Sequence, residues 1–132
     1  MTDPLDAAER LARRVRDALT AAGLRVVDPG PDEEPAGGGA QVRVDTWNRH
    51  FFGLAPEVVV TWWTGPQLRA DTVAAMMRND LEHPSARRSG GTHAAMCTAL
   101  LAVLTSAGFT VREHDNGMVP FNLHVLAGPT DG

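Results

Sequence analysis

The chain has 132 residues, a formal charge of -4 and one cysteine. That length fits one compact domain able to bury about two-thirds of its unfolded surface, so no metal or disulfide staple is required. The lone Cys97 excludes an intrachain disulfide and any zinc site built from several thiolates.

No apolar run approaches the ~20 residues of a bilayer span. The acidic start, MTDPLDAAER, lacks the basic-then-apolar order of a secretory signal. The expectation is a cytoplasmic protein with no membrane partner and no cofactor. All twelve basic residues are arginine, and Lys, Ile and Tyr are absent, as a GC-rich bacterial genome would produce. Arginine abundance alone therefore does not signal phosphate binding. Sixteen acidic residues against twelve basic ones also speak against general nucleic-acid binding, which works by neutralising phosphates.

Residues 3–22 read as an amphipathic helix. Asp3 suits the cap, Pro4 the first helical position and Gly23 the left-handed stop. Leu5, Ala8, Leu11, Ala12, Val15, Leu19 and Ala22 fall on one apolar stripe at three- and four-residue spacing. Leu24 to Asp28 reads as a short strand, and the Pro-, Gly- and acid-rich segment 29–39 as a mobile hairpin loop. Ala40 to Trp47 and Glu57 to Trp63 alternate as strands with Val42, Val44, Val58, Val60 and Trp62 toward the core.

Gly65-Pro66 opens a second helix to about Asn79, with Leu68, Val73, Ala74, Met76 and Met77 as buried candidates. Pro84 blocks its continuation, residues 84–91 read as a flexible Arg/Gly loop, and Thr92 caps a third, largely apolar helix to Ala107. Phe109 to Glu113 and Pro120 to Leu126 form a closing hairpin around Asn116-Gly117. An odd, bulged turn is expected there, because it sets Val111 on the same face as Leu123 and Val125. ALTAAGLRV at 18–26 echoes VLTSAGFTV at 103–111, each passing from helix through Gly into strand.

The expected fold is α+β, a two-layer sandwich in the order α-β-β-β-α-α-β-β. Its five-stranded sheet is mostly antiparallel, with three helices on one face and the other face open.

Trp62 and Trp63 are consecutive, so one of them must leave the helix-side core. The outward set is Arg43, Asp45, Trp47, Val59, Thr61, Trp63, Arg112, His114, Asn122 and His124. A tryptophan beside arginines has the composition of an interaction hot spot. The leading expectation is a non-catalytic interaction module, an adaptor, chaperone-like or regulatory domain. It docks a protein partner or a second copy through Trp47 and Trp63, with Arg43, Arg112 and His124 beside them.

The alternative is a small-molecule anion binder or small transferase using Arg87, Arg88, Ser89, Gly90, Gly91, Thr92 and His93 at a helix start. There, free N–H groups and the helix dipole favour anions. His93 and Cys97 are four apart on a helix, but two more ligands would have to come from elsewhere; His114 and His124 lie too far apart along the sheet for one ion, His50 and His83 sit in loops, and no metal is assigned. No G-x-S-x-G, H-E-x-x-H or P-loop motif occurs.

Two partial resemblances add to this reading. Residues 87–93 are similar to the Arg- and Gly-containing turn before a helix in acyl-CoA transferases. The likeness covers those seven residues alone, Thr92 or His93 replaces the second small residue, and a helix, not a strand, comes before it. Residues 3–79 resemble a double-stranded-RNA-binding domain in their α-β-β-β-α order. The second helix, GPQLRADTVAAMMRND, has one early Arg beside acids where such a domain presents basic residues. Neither resemblance is carried into a function.

Overall fold

Asp3 starts the first helix, α1 (Pro4–Ala21), by accepting a 2.9 Å hydrogen bond from the Leu5 N–H, while Pro4 sits where no donor is needed. The structure is a computed structural model, and it describes residues 3–27, 38–46, 55–80, 82–113 and 122–129. The remaining elements are β1 (Val26–Val27), β2 (Gly39–Asp45), β3 (Glu57–Trp63), α2 (Pro66–Met77), α3 (Pro84–Ser106), β4 (Thr110–Glu113) and β5 (Leu123–Ala127). This is the expected α+β order, with an open, mostly antiparallel sheet arranged β1-β2-β3-β5-β4.

α1 packs on β2 and β3, α3 packs on β3 and β4, and α2 packs against α3. Ala8, Ala12, Val15 and Leu19 of α1 join Val42, Val58, Val60, Leu100, Leu104, Leu123 and Val125 in one buried cluster. Val44, Trp62 and Val111 pack against its margin. Every strand residue assigned to the core from alternation is therefore in the cluster or against it. Burying these side chains stabilises by about 1.5–3 kcal/mol each before chain entropy is subtracted. Among the described residues, no helix is long and apolar enough to cross a membrane.

Both copies of the echoed sequence end a helix in the same way. Gly23 and Gly108 adopt φ of 89° and 94°. In each case the next residue's N–H reaches back to the helix, Leu24 to the Leu19 carbonyl and Phe109 to the Leu104 carbonyl, both at 3.0 Å. These are Schellman-type stops, which favour glycine because a side chain is strained there. The likeness ends at pairing, since β1 runs parallel to β2 and β4 antiparallel to β5.

That parallel pairing corrects the hairpin expected between the first two strands. Val26 lies opposite Ala40, and the Ala40 N–H donates to the Arg25 carbonyl at 2.8 Å. The chain must travel back before pairing, and a Pro- and Gly-rich segment of this length permits that as readily as a reversal. Residues 28–37 themselves lie outside the described residues.

At the other edge the expected face is correct, with Val111 opposite Val125 and Arg112 opposite His124. Thr110 opposes Ala127 and Val111 opposes Val125, so Leu126 is an extra, unopposed residue and is 54% exposed. The Asn116-Gly117 turn lies outside the described residues.

The largest correction concerns the segment expected as a loop at 84–91. α3 begins at Pro84, with His83 as its cap, the His83 Nδ1 accepting from the Ser85 N–H at 3.1 Å. Thr92 is thus inside the helix. Gly90 and Gly91 are helical, and a Cβ at either would meet nothing within 4 Å. Glycine costs a helix interior roughly 0.5–1 kcal/mol relative to alanine. The double variant Gly90→Ala/Gly91→Ala is therefore expected to raise unfolding stability by about 1–2 kcal/mol in urea melts. No gain would mean that residues 90–91 are not helical in solution.

Two burial expectations also change. α3 buries one stripe, Ser89, Cys97, Leu100 and Leu104, instead of most of its circumference. Among the described side chains of α2 only Ala75 is buried, whereas Val73, Met76 and Met77 are 51%, 58% and 85% exposed and Ala74 is also exposed. α2 leans on α3 and not across the sheet, so its apolar residues are not drawn under a strand.

Candidate functional site

The outward sheet face is organised as rows. Pairing places Arg43 opposite Val59, Val59 opposite His124, and His124 opposite Arg112, a single row across four strands. Arg43 and Arg112 at its ends are exposed, as expected. The middle is not open: Val59 is 1% exposed, His124 is 3% and the neighbouring Asn122 is 5%. His124 Nε2 lies 3.6 Å from the Glu57 carboxylate, so this histidine belongs to an internal contact and is not a surface anchor. Trp47 and His114 lie outside the described residues.

Trp63 does face away from the core, as the Trp62–Trp63 argument requires, but it is only partly exposed. Its indole N–H donates to the Gln41 side-chain oxygen at 2.6 Å, across the paired β2 strand. The Arg69 guanidinium lies over the ring at 4.2 Å from its centroid. A cation over an indole face is worth about 0.5–1 kcal/mol at exposed sites. Together these contacts hold the ring in one orientation as a wall.

That wall bounds a cleft of about 470 Å³ at the end of β3. Trp62 and Trp63 reach it from opposite faces of the strand end, α2 contributes Arg69, Thr72, Val73 and Met76, and α3 contributes Ser89 and His93. Thr72 ties the two helices together, because its hydroxyl lies 2.7 Å from the Leu68 carbonyl and 3.2 Å from the Ser85 carbonyl. Thr64 also lines the cleft. It is 4% exposed, and its hydroxyl finds no hydrogen-bond partner among the described residues. A buried hydroxyl left unpaired costs about 1–3 kcal/mol, so this is a point where an incoming polar group would gain. A volume of this size with mostly apolar walls and a few polar groups fits an organic ligand or a bulky side chain.

The seven residues expected at a helix start lie within α3 instead. Because α3 begins at Pro84, the N–H groups around Ser89 to His93 lie within the helix and are not free at its end. Arg87 pairs with Glu82 at 3.4 Å, with both side chains strongly exposed, and such a pair contributes little. Arg88 and Gly91 are exposed, while Gly90 and Thr92 are partly buried. Ser89 is buried, and the His93 Nδ1 lies 2.9 Å from the Ser89 carbonyl, which can only accept. The ring therefore carries its proton on Nδ1, and in the neutral form Nε2 is the acceptor. The helix brings these two residues to the Trp63 cleft, so one residue of the first expected site and two of the second line the same cavity. Alternation and motif spacing give no signal for this meeting, which depends on how α2 and α3 close over the end of β3.

Cys97 is buried on the core-facing stripe of α3, and burial, followed by the Glu113 carboxylate, pushes its thiol up from its ordinary range. A thiol kept protonated is a poor metal ligand and a poor nucleophile. Among the described residues, no group of three or more His, Cys, Asp or Glu side chains could hold a metal ion. Comparison with known proteins finds no matching family model, no matching curated protein and no matching solved structure.

Proposed function

We propose that the chain is a non-catalytic interaction module that takes an apolar side chain of a protein partner into the cleft between Trp63 and α2. The observation that carries this reading is the exposure of Val73, Met76 and Met77, at 51%, 58% and 85%. Val73 and Met76 line the cleft, and Met77 follows them on α2 outside its lining. An apolar rim that continues past the cavity suits a protein surface better than a ligand confined to the cavity. Trp63 would be the fixed aromatic wall of the hot spot, and Arg43 and Arg112 would act at a distance on partner charge. The second reading, a small-molecule binder, draws on Ser89 and His93 lining the same cleft.

N-Acetylphenylalaninamide serves as a side-chain surrogate, followed through the indole N–H resonances of Trp62 and Trp63. Saturable shifts at both indoles are expected. Val73→Glu, at an exposed position that folding does not need, should weaken the probe by about fivefold or more without lowering the melting temperature. Unmoved indoles, or equal binding by the variant, would remove the cleft as the site. Light scattering on the same samples identifies the occupant class: a dimer abolished by Val73→Glu means a second copy, and a monomer means a different protein.

A further inference from the structure

A second cavity, of about 390 Å³, lies between α1 and the part of β2 beyond the end of β1, and three arginines from two elements surround it. Arg13 and Arg16 come from α1 and Arg43 from β2, with Glu9 the one acidic residue of the lining among the described residues. Guanidinium groups repel one another, and this chain is acidic overall, so three of them around one cavity run against the molecule's average charge.

Arg16 carries the second observation. Its Nη2 donates to the Val42 carbonyl at 2.9 Å, which fixes the side chain against the strand. Its Nε is buried and finds no acceptor among the described residues. An ionised donor buried without an acceptor is costly, and an acceptor oxygen that reached it would relieve that cost.

We infer that this cavity is a binding site for the phosphate group of a small phosphorylated molecule. One guanidinium fork satisfies a carboxylate. Arg13 and Arg16 on α1 and Arg43 on the neighbouring strand edge supply the positive charge and donor number that suit a group with three terminal oxygens and a charge near two, even after Glu9 offsets one of them. This cavity is a different one from the Trp63 cleft, and although Arg43 takes part in both readings, phosphate binding does not depend on the function proposed for that cleft. Gln41 lines both cavities, and its side-chain oxygen is held by Trp63, so it is the point at which they adjoin.

The test follows the side-chain Nε–H resonances of Arg13, Arg16 and Arg43 in the intact protein during titration with phenyl phosphate. Parallel titrations use inorganic phosphate, acetate, and sodium chloride at matched ionic strength. Saturable shifts at all three arginines with both phosphates are expected, and only weak, unsaturating drift with chloride. Arg16 braces β2, so the variant of choice is Arg13→Gln/Arg43→Gln, at two exposed positions. It should bind phenyl phosphate about a hundredfold more weakly, roughly tenfold per fork removed, with an unchanged melting temperature. The inference is overturned if chloride reproduces the phosphate shifts, if acetate binds as tightly as phosphate, or if the double variant binds like the parent.

Discussion

Leu104→Ala is expected to lower unfolding stability by about 3 kcal/mol, corresponding to roughly 10 °C in melting temperature for a chain of this size. Leu104 is fully buried on the stripe of α3 that faces the sheet. There α3 seats on β3 and β4, so no single flexible side chain can swing in to fill the space. Removing the side chain loses its transfer energy and leaves a cavity held open by two elements. A total stability of about 5–15 kcal/mol makes this a large fraction. Leu101→Ala is the control three residues away: Leu101 is only partly buried, and its loss should cost about 1 kcal/mol. Urea melts with equal slopes for the two variants would make the comparison clean. A Leu104→Ala cost below 1 kcal/mol would mean that α3 does not seat on the sheet as described.

The second large effect distinguishes two glycines that look equivalent in sequence. Gly23 and Gly108 both hold positive φ, so alanine costs about 1–2 kcal/mol at each from backbone strain alone. A Cβ at Gly23 meets nothing within 4 Å, whereas at Gly108 it would lie 2.9 Å from the Pro129 Cβ. Pro129 cannot withdraw freely, because its carbonyl accepts from Arg14 Nη2 at 3.0 Å, which ties the end of the sheet to α1. Gly108→Ala should therefore cost about 1 kcal/mol more than Gly23→Ala, for a total of about 2–3 kcal/mol. Equal costs, measured by the same urea melts, would show that the Pro129 contact yields.

Much of the fold was legible because two periodicities carried it. The three- and four-residue stripe of α1 and the alternation in β2, β3 and β5 placed Leu19, Val42, Val58, Val60, Leu123 and Val125 correctly. The left-handed stops at Gly23 and Gly108 were equally clear. The start of α3 was misplaced because RRSGG has the composition of a loop. The contrary signal was present in His83-Pro84, a cap followed by proline at the first helical position.

The candidate site was less legible, and for a different reason. Alternation says which way Val59, Asn122 and His124 point but not whether that side is wet, and all three are buried. Nor does local pattern show that α2 leans on α3, which leaves Met76 and Met77 exposed beside Trp63 and brings Ser89 and His93 to the same cleft. Those placements depend on tertiary packing, which spacing along the chain does not encode.

The lengths of the outer strands decide how copies of this chain can meet. β1 offers only Val26 and Val27, and just beyond it the Arg16 guanidinium occupies the Val42 carbonyl that a docking strand would need. At the opposite border β4 is four residues long, carries exposed Arg112 and Glu113, and is kinked where Leu126 bulges from its partner. Among the described residues neither border is a template for ribbon-like growth, because both are too short, charged or irregular to recruit another strand. Concentrated solutions should therefore resist fibril formation, and a second copy would have to approach through side chains and not by extending the sheet.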